Sequence, residues 1–539
     1  MVNLSGALAA TWVPFAIIII LVLVFSVVYV KCYISKYDPS RSTTVSGIVS
    51  LSITLLTVCL VPIDVFLVSF MKNSDGTFKE WAKSNHTRQS VEESVAVAYY
   101  TLYALTTFCL FLLLPFMYFF YEEKDETTTG TCKTRFCSAA KYTVVFVVIV
   151  AVLLLIGGLV PSQTQPNKNA TDWENVKNLF MQLGTNGAED SLSFVISVLS
   201  LVGMLALITY TAYGMSALPM SLIKGHSSVK SELERVREKQ KDNKASIQAI
   251  RDKYGSGKNS SRKRQNISQL EEDERLLERQ AAHLEDKNTC LHKCLLIFRP
   301  FEVVIGVVLQ LLTLLIFLSL LLTNIDKAIN GKGYKLGYAL AKRTLPNPID
   351  IVLVYCQKVF PLDYILFTAI VMYLIFCSMS GVRNMGIWFL WLKMYKIRPR
   401  RTRPQGMLML CMILMFIILA INIIVYQLTP QYSMYGSQMV EISSNATIGN
   451  KTEIKQTLDH CSLNSSRDDC IITRMALLLT RFFYKMWFFG AAYYWTTWVF
   501  LGFILIGFLV AVIKKRKSSI DGEVDEDDFD ESDEEMLHA

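Results

Sequence analysis

The chain has 539 residues, of which 52% are hydrophobic, a mean hydropathy of +0.34 and a formal net charge of +8. That apolar content exceeds what an ordinary soluble enzyme of this length carries, where about half of the residues are apolar when glycine is counted. The positive charge is a mean over a basic middle and a strongly acidic C-terminus, so it gives no support to nucleic-acid binding.

Nine apolar runs account for the excess: Trp12 to Val30, Val45 to Phe70, Val95 to Tyr121, Tyr142 to Val160, Leu192 to Tyr213, Val303 to Thr323, Leu362 to Met379, Met407 to Leu428 and Met486 to Ile513. A hydrocarbon core of about 30 Å needs roughly 20 apolar residues in a helix. No water reaches the peptide groups there, so each run must satisfy its own hydrogen bonds. The expected fold is all-α and polytopic. It comprises a membrane half with five spans (1–213), a charged interruption (214–301), a membrane half with four spans (302–513) and an acidic tail (514–539).

No positive charge precedes the first span, while Lys31, Lys36 and Arg41 follow it, which puts the N-terminus on the outer or lumenal side. The start has no basic n-region, so no cleaved signal peptide is expected. Nine spans then place the C-terminus in the cytosol, in keeping with the basic loop Gly381 to Gly406 and with Lys514 to Lys517. Asn85, Asn169, Asn445, Asn450 and Asn464 open Asn-x-Ser/Thr acceptors on predicted outer loops and are candidate glycosylation sites. Asn259 and Asn266, on the cytosolic side, and Asn3, beside the first span, should stay unmodified.

Cys461 and Cys470 share the long outer loop Thr429 to Lys485. They either form a disulfide that pins this loop or remain two free lumenal thiols.

Asp64 and Asp363 stand out because an acid in an apolar span costs about 2.5 to 3.5 kcal/mol near a helix centre. Both follow a Pro-x-Asp pattern, in Pro62-Ile-Asp64 and Pro361-Leu-Asp363, and proline frees backbone carbonyls for polar partners. Two readings stay open: functional groups in a vestibule, or helix caps at the interface. The stretch Ile349 to Phe360 is long enough for a short re-entrant helix.

Enzyme signals are missing. None of the six histidines lies in a span, and Gly255-Ser-Gly-Lys-Asn-Ser260 lacks Walker A spacing. No catalytic or metal residue is therefore assigned. Cys290-Leu-His-Lys-Cys294 supplies three ligand types on one short segment, and free or acylated thiols account for it as well.

Within the interruption, Val229, Leu233, Val236, Gln240, Asn243, Ile247, Ile250 and Tyr254 recur by four and three, as do Ile267, Leu270, Glu274, Leu277, Ala281 and Leu284. The Gly/Ser-rich stretch between them predicts an antiparallel helical hairpin, with charged faces that are either solvated or dock a partner. Glu272 to Leu277 also fits an acidic dileucine sorting signal, although a leucine in the seam is not offered as an extended peptide. The tail, Asp521 to Glu535, is too acidic and too poor in apolar residues to fold alone. Ser532 there is a candidate phosphorylation site, with a merely solubilising tail as the alternative.

Several strings carry a family likeness: Tyr210-Thr-Ala-Tyr-Gly-Met-Ser-Ala-Leu-Pro219, Phe360-Pro-Leu-Asp-Tyr364, Val382-Arg-Asn-Met-Gly-Ile-Trp388, Arg401-Thr-Arg-Pro-Gln405, Pro430-Gln-Tyr-Ser-Met-Tyr-Gly-Ser-Gln438 and Gly490-Ala-Ala-Tyr-Tyr494. In this order and over essentially the full chain they resemble the limb-region membrane protein family, related to lipocalin-interacting membrane receptors. The resemblance implies a lysosomal membrane protein that escorts a D-subfamily ABC half-transporter from the endoplasmic reticulum, so that cobalamin (vitamin B12) leaves the lysosome for the cytosol. Cobalamin is then the pathway's transported substrate and not a bound cofactor, and no Asp-x-His-x-x-Gly cobalamin motif occurs. The resemblance further implies a clathrin-adaptor role in insulin receptor endocytosis at the plasma membrane, through Tyr-based motifs. Here the chain departs, since Val229 to Val236 contains no tyrosine. The alternatives are a secondary carrier that moves cobalamin itself through Asp64 and Asp363, and a cell-surface endocytic receptor of the lipocalin-receptor type.

Overall fold

The structure, a computed structural model, describes residues 2–35, 40–73, 75–126, 132–159, 187–225, 229–253, 269–271, 273–282, 299–331, 333, 338, 344–357, 359, 361–389, 392–399, 401–448, 451–461, 470–484 and 487–514. Among these residues, nine stretches of helix are long and apolar enough to cross a membrane. The all-α polytopic fold class stands.

The first two spans are α1 (Val2–Tyr33) and α2 (Arg41–Phe70). The third is α3 (Asn85–Phe108), a π-turn at Cys109–Leu113 and α4 (Leu114–Glu126). Pro115 brings no N–H to the helix ladder, and the wider π-turn directly before it accommodates that gap. The fourth span is α5 (Cys132–Leu159). The fifth is α6 (Gly187–Ala206), a second π-turn at Leu207–Thr211 and α7 (Ala212–Lys224). This last helix runs beyond the apolar run that ends at Tyr213, because Met215 to Ile223 keeps enough apolar residues to stay helical.

The second half holds α9 (Arg299–Asn330), the short α10 (Pro348–Cys356), α11 (Leu362–Met385) and α12 (Pro404–Leu428). Helix α8 (Val229–Lys253) lies in the interruption between the halves. Between α11 and α12 comes a small antiparallel pair, β1 (Ile387–Phe389) and β2 (Leu392–Tyr395). After α12 the expected loop is itself structured: α13 (Pro430–Tyr435), a ten-pair hairpin of β3 (Met439–Ile448) and β4 (Lys451–His460), then α14 (Arg474–Tyr484). The last span is α15 (Trp487–Ile513).

Two compact units divide the chain. In the first, residues 1–215 and 313–507, α12 is the central helix. Its most apolar window is 78% buried, against 11% for α5, and it packs on α2, α4, α6 and α11. Hydroxyls within the spans bond back to the preceding turn, as from Thr54 to Ser50 O (2.5 Å), Ser197 to Ser193 O (2.7 Å) and Ser378 to Leu374 O (2.7 Å), so burial leaves these donors satisfied. Gly381 of α11 meets the Tyr210 carbonyl so closely that any Cβ there would overlap its oxygen. Backbone-to-backbone approach of this kind is how small residues join helices in membranes.

The second unit covers residues 216–312 and 508–539. In it the Lys224 ammonium donates to the carbonyls of Ala511 (2.8 Å), Val512 (2.7 Å) and Lys514 (2.7 Å), satisfying acceptors left open at the end of α15. Helix α8 pairs with an arm at 273–282. Asn243 Nδ2 donates to Leu270 O (2.8 Å), Lys244 faces Glu274 (3.2 Å) and Glu278 (3.8 Å), and Leu233 packs with Val236 and Ala281. Pairing 243 with 270 and 233 with 281 is antiparallel. On α8 the seam lies at the expected positions, with Leu233 and Ile247 buried and Val236, Gln240, Asn243 and Ile250 half-buried; on the arm Glu274, Leu277 and Ala281 are half-buried as expected, and Leu276, one position off the seam, is buried as well.

Candidate functional site

The described residues between 429 and 484 form a cap whose two short helices, α13 and α14, meet the ends of α2, α11 and α12. Its two short helices are each held by one of the intramembrane aspartates.

Asp64 lies two residues beyond Pro62 in α2 and is 1% exposed. Its Oδ2 accepts the Met475 N–H at 2.8 Å. Met475 is in the first turn of α14, where backbone donors have no partner within the helix. Asp64 therefore caps α14 from another helix, while Thr473 supplies the local cap through its hydroxyl to Ala476 N (3.3 Å). The same Thr473 donates its N–H to Met434 O (3.0 Å) and its hydroxyl to Ser433 O (2.6 Å), tying α14 to α13. Arg474 pairs with Glu92 of α3 at 2.7 Å.

Asp363 is the second residue of α11 and is 2% exposed. Its Oδ2 accepts the hydroxyl of Tyr432, in α13, at 3.0 Å. Burial first, and then the Asp363 charge, push the Tyr432 phenol well above its ordinary range, so it stays protonated and donates. The Tyr432 N–H points to Asp350 Oδ1 at 3.5 Å. Asp350 stands in the first turn of α10, whose N-cap Asn347 accepts from Ile349 N (3.1 Å) and donates to Leu428 O (2.6 Å) at the end of α12. A short helix, α10, covers the start of the stretch Ile349 to Phe360, and Tyr432 links it to α11 through Asp350 and Asp363.

The turn after α13 requires glycine. Gly436 has φ 59° and ψ −136°, and a Cβ there would overlap Ser69 Oγ. Ser437 then bonds Ser69 through its N–H (2.9 Å) and Tyr364 through its hydroxyl (2.9 Å). Gln438 grips Ile471 from both sides, its Nε2 donating to Ile471 O (2.7 Å) and its Oε1 accepting Ile471 N–H (3.0 Å). Cys461 and Cys470 are joined by a disulfide, with Cα atoms 6.0 Å apart. Both sulfurs sit in a small core with Met434, Tyr435, Val440, Ala476 and Leu477. Lys72, just past α2, donates to Met439 O at 2.7 Å.

Asp64 and Asp363 thus hold different cap helices. Between α1, α2 and α11 lies a separate cavity of about 590 Å³ walled by residues such as Leu21, Phe25, Pro62, Phe66, Met372 and Phe376. Its apolar walls suit hydrocarbon rather than a polar solute. Among the described residues, no group of three or more His, Cys, Asp or Glu side chains could hold a metal ion.

Of the predicted acceptors, Asn85 is exposed at the start of α3, where its amide oxygen accepts from Arg88. Asn445 lies on β3 opposite Ile454. Asn169, Asn450, Asn464 and Ser532 lie outside the described residues, as do Asn259, Asn266, Cys290, His292 and Cys294. Sequence reasoning missed Asn347, Asp350, Tyr432 and Gln438 as site residues. The Asn-Pro step at 347–348 was a readable helix-start signal.

Residues 11–295 match the family described as LMBR1-like membrane protein. The chain belongs to this family. Curated relatives extend the likeness of this LMBR1-like chain through α9 to α15 and the cap. A probable lysosomal cobalamin transporter of Nematostella vectensis is 45% identical over 99% of both chains. The lysosomal cobalamin transport escort protein LMBD1 of Homo sapiens is 46% identical over 99% of this chain and 98% of its own, and that of Gallus gallus is 46% identical over the same shares. No solved structure matches.

Proposed function

We propose that this LMBR1-like chain is a lysosomal-membrane escort in cobalamin transport that accompanies a D-subfamily ABC half-transporter from the endoplasmic reticulum. The observation that carries this reading is the 45–46% identity, over nearly the whole chain, to proteins named as lysosomal cobalamin transport escort proteins; the half-transporter and the route from the endoplasmic reticulum rest on the family resemblance. The cap face is then lumenal, where its disulfide suits an oxidising compartment. Helix α8 and the arm at 273–282 are cytosolic, with charged surfaces able to dock the transporter. The clathrin-adaptor and insulin-receptor role rests on the family resemblance alone, and α8 offers neither a tyrosine nor an extended peptide to an adaptor.

The name of the Nematostella relative favours a second reading, that the chain itself carries cobalamin. The engagement of Asp64 by α14 and of Asp363 by α13 supports the escort instead, since both acids are taken up in holding the cap.

Two experiments separate these readings. In cells lacking their own escort, the full chain should restore cobalamin export and should co-purify with the half-transporter. The purified chain alone in liposomes should move no cobalamin. Uptake by the chain alone, lost in Asp64→Asn, would overturn the escort reading.

A further inference from the structure

Helix α1 packs along α2 and is anchored at the end away from the cap. There Val30 is fully buried, the Thr402 N–H donates to Tyr33 O (3.1 Å) and the Thr402 carbonyl accepts the Ser35 N–H (2.9 Å). Helix α1 meets α11 through the Phe25 ring, edge-on to Phe376 at 6.3 Å. From that contact toward the cap, the cavity of about 590 Å³ separates the two helices, with α2 as its floor. Leu21 of α1 and Thr368 of α11 both line it and are both exposed. The cavity is therefore a cleft, closed below by the Phe25 and Phe376 rings and open sideways to the bilayer.

Its dimensions narrow the choice of occupant. The α11 wall from Tyr364 to Phe376 rises about 18 Å at 1.5 Å per residue, close to the roughly 15 Å that one leaflet's tails fill in a core of about 30 Å. An apolar cavity of about 150 Å³ takes one benzene molecule, so about 590 Å³ has room for roughly two dozen carbon atoms. Spread over that length, the space is too narrow for another helix, about 10 Å across. A single hydrocarbon tail fits in both length and volume.

The cap-side end of the cleft supplies the rest of a lipid site. Phe66 and Tyr364 form its wall there, edge to face at 5.1 Å. Phe66 stacks on Phe70 (5.4 Å) and Phe70 on Trp81 (6.3 Å), a run of rings of the kind that marks the boundary between membrane and water. The Lys79 ammonium lies over the Phe70 ring at 3.4 Å, half-buried, and among the described residues no carboxylate pairs with it. An apolar slot one leaflet deep thus ends at a cation. We propose that the cleft holds one phospholipid of the cap-side leaflet, with one tail between α1 and α11 and the phosphate on Lys79. The tail completes the packing of the first span on the bundle. The site goes beyond the escort reading and holds equally for a carrier.

The test places the full chain in lipid nanodiscs containing phosphatidylcholine that carries a photoreactive diazirine, in one probe near the end of a tail and in a second near the glycerol, and maps the labelled peptides by mass spectrometry. The tail-end probe should label the peptides of Phe25 and Phe376, and the glycerol-end probe those of Phe66 and Tyr364, each above the background on the lipid-facing helices α5 and α9. Thr368→Trp, which fills the opening from an exposed position, should bring cleft labelling down to that background. Lys79→Glu should lower it about fivefold, as expected for losing one cation at a lipid surface, and decides the matter if Thr368→Trp fails to fold. Cleft labelling no denser than on α5 and α9 overturns the proposal. So does stronger labelling of the cleft by a diazirine sterol than by the phospholipid probes, or undiminished labelling in either folded variant.

Discussion

Gly436 is the narrowest constraint on the cap, because its backbone region is open only to glycine and Ser69 fills the space a side chain would need. Gly436→Ala should destabilise the cap by about 2 to 3 kcal/mol, seen as faster reduction of the Cys461–Cys470 bond by an added thiol while the spans stay helical. Asp75, in the turn between α2 and α3, behaves differently. Its Oδ1 accepts the Thr77 hydroxyl (2.7 Å) and N–H (2.9 Å), and these two bonds, the hydroxyl's first, hold the carboxyl below its ordinary range. The contribution is therefore present above the ordinary aspartate value of about 4 and is lost as pH falls through the lowered native one. Protection of the Thr77 amide against hydrogen exchange should persist at about pH 5 and vanish only below about pH 4, and Asp75→Asn should flatten that step. Asp64 and Asp363 were visible in the sequence because an acid interrupts an apolar run. Tyr432 and Gln438 were not, because a polar residue between spans is ordinary until its partners, 69 and 33 positions away, are brought to it.

At the level of elements, pairing of α8 with the arm at 273–282 rests on a few apolar contacts, and its charged contacts are largely solvated. Lys244 is half exposed where it faces Glu274 and Glu278, so Lys244→Ala should change the pairing by less than about 1 kcal/mol. Leu233→Asp, which puts a charge against Val236 and Ala281, should unpair the helices and expose 229–253 to rapid amide exchange in the full chain. The four-and-three spacing made these helices readable, and so did the length of the apolar runs for the spans. Strands β3 and β4 escaped that reading because Met439 to Ile448 and Lys451 to His460 mix Ser, Asn, Thr, Glu and Lys without period-two alternation. What holds their base is the Met439 carbonyl on Lys72 and the Cys461 N–H on Gln438 O (3.2 Å). Neither contact has a signature along the chain.

For the whole molecule, orientation decides which partners can be met. If the cap face is lumenal, Asn85 at the exposed start of α3 carries a glycan, and Asn85→Gln should remove one glycosidase-sensitive step in gel mobility while cobalamin export persists. Loss of no step would put that loop on the other side. The contact between Asp64 and Met475 also has a meaning in time. Its two residues are 411 positions apart, and synthesis at about 5 to 20 residues per second separates their appearance by roughly 20 to 80 s. Through that interval α2 sits in the bilayer with an acid whose backbone partner does not yet exist. The nascent protein therefore passes through a membrane-embedded intermediate whose first half cannot complete its own polar interior. A truncation anywhere before α14 would leave that intermediate as its end state, open to the surveillance that removes unfinished membrane proteins.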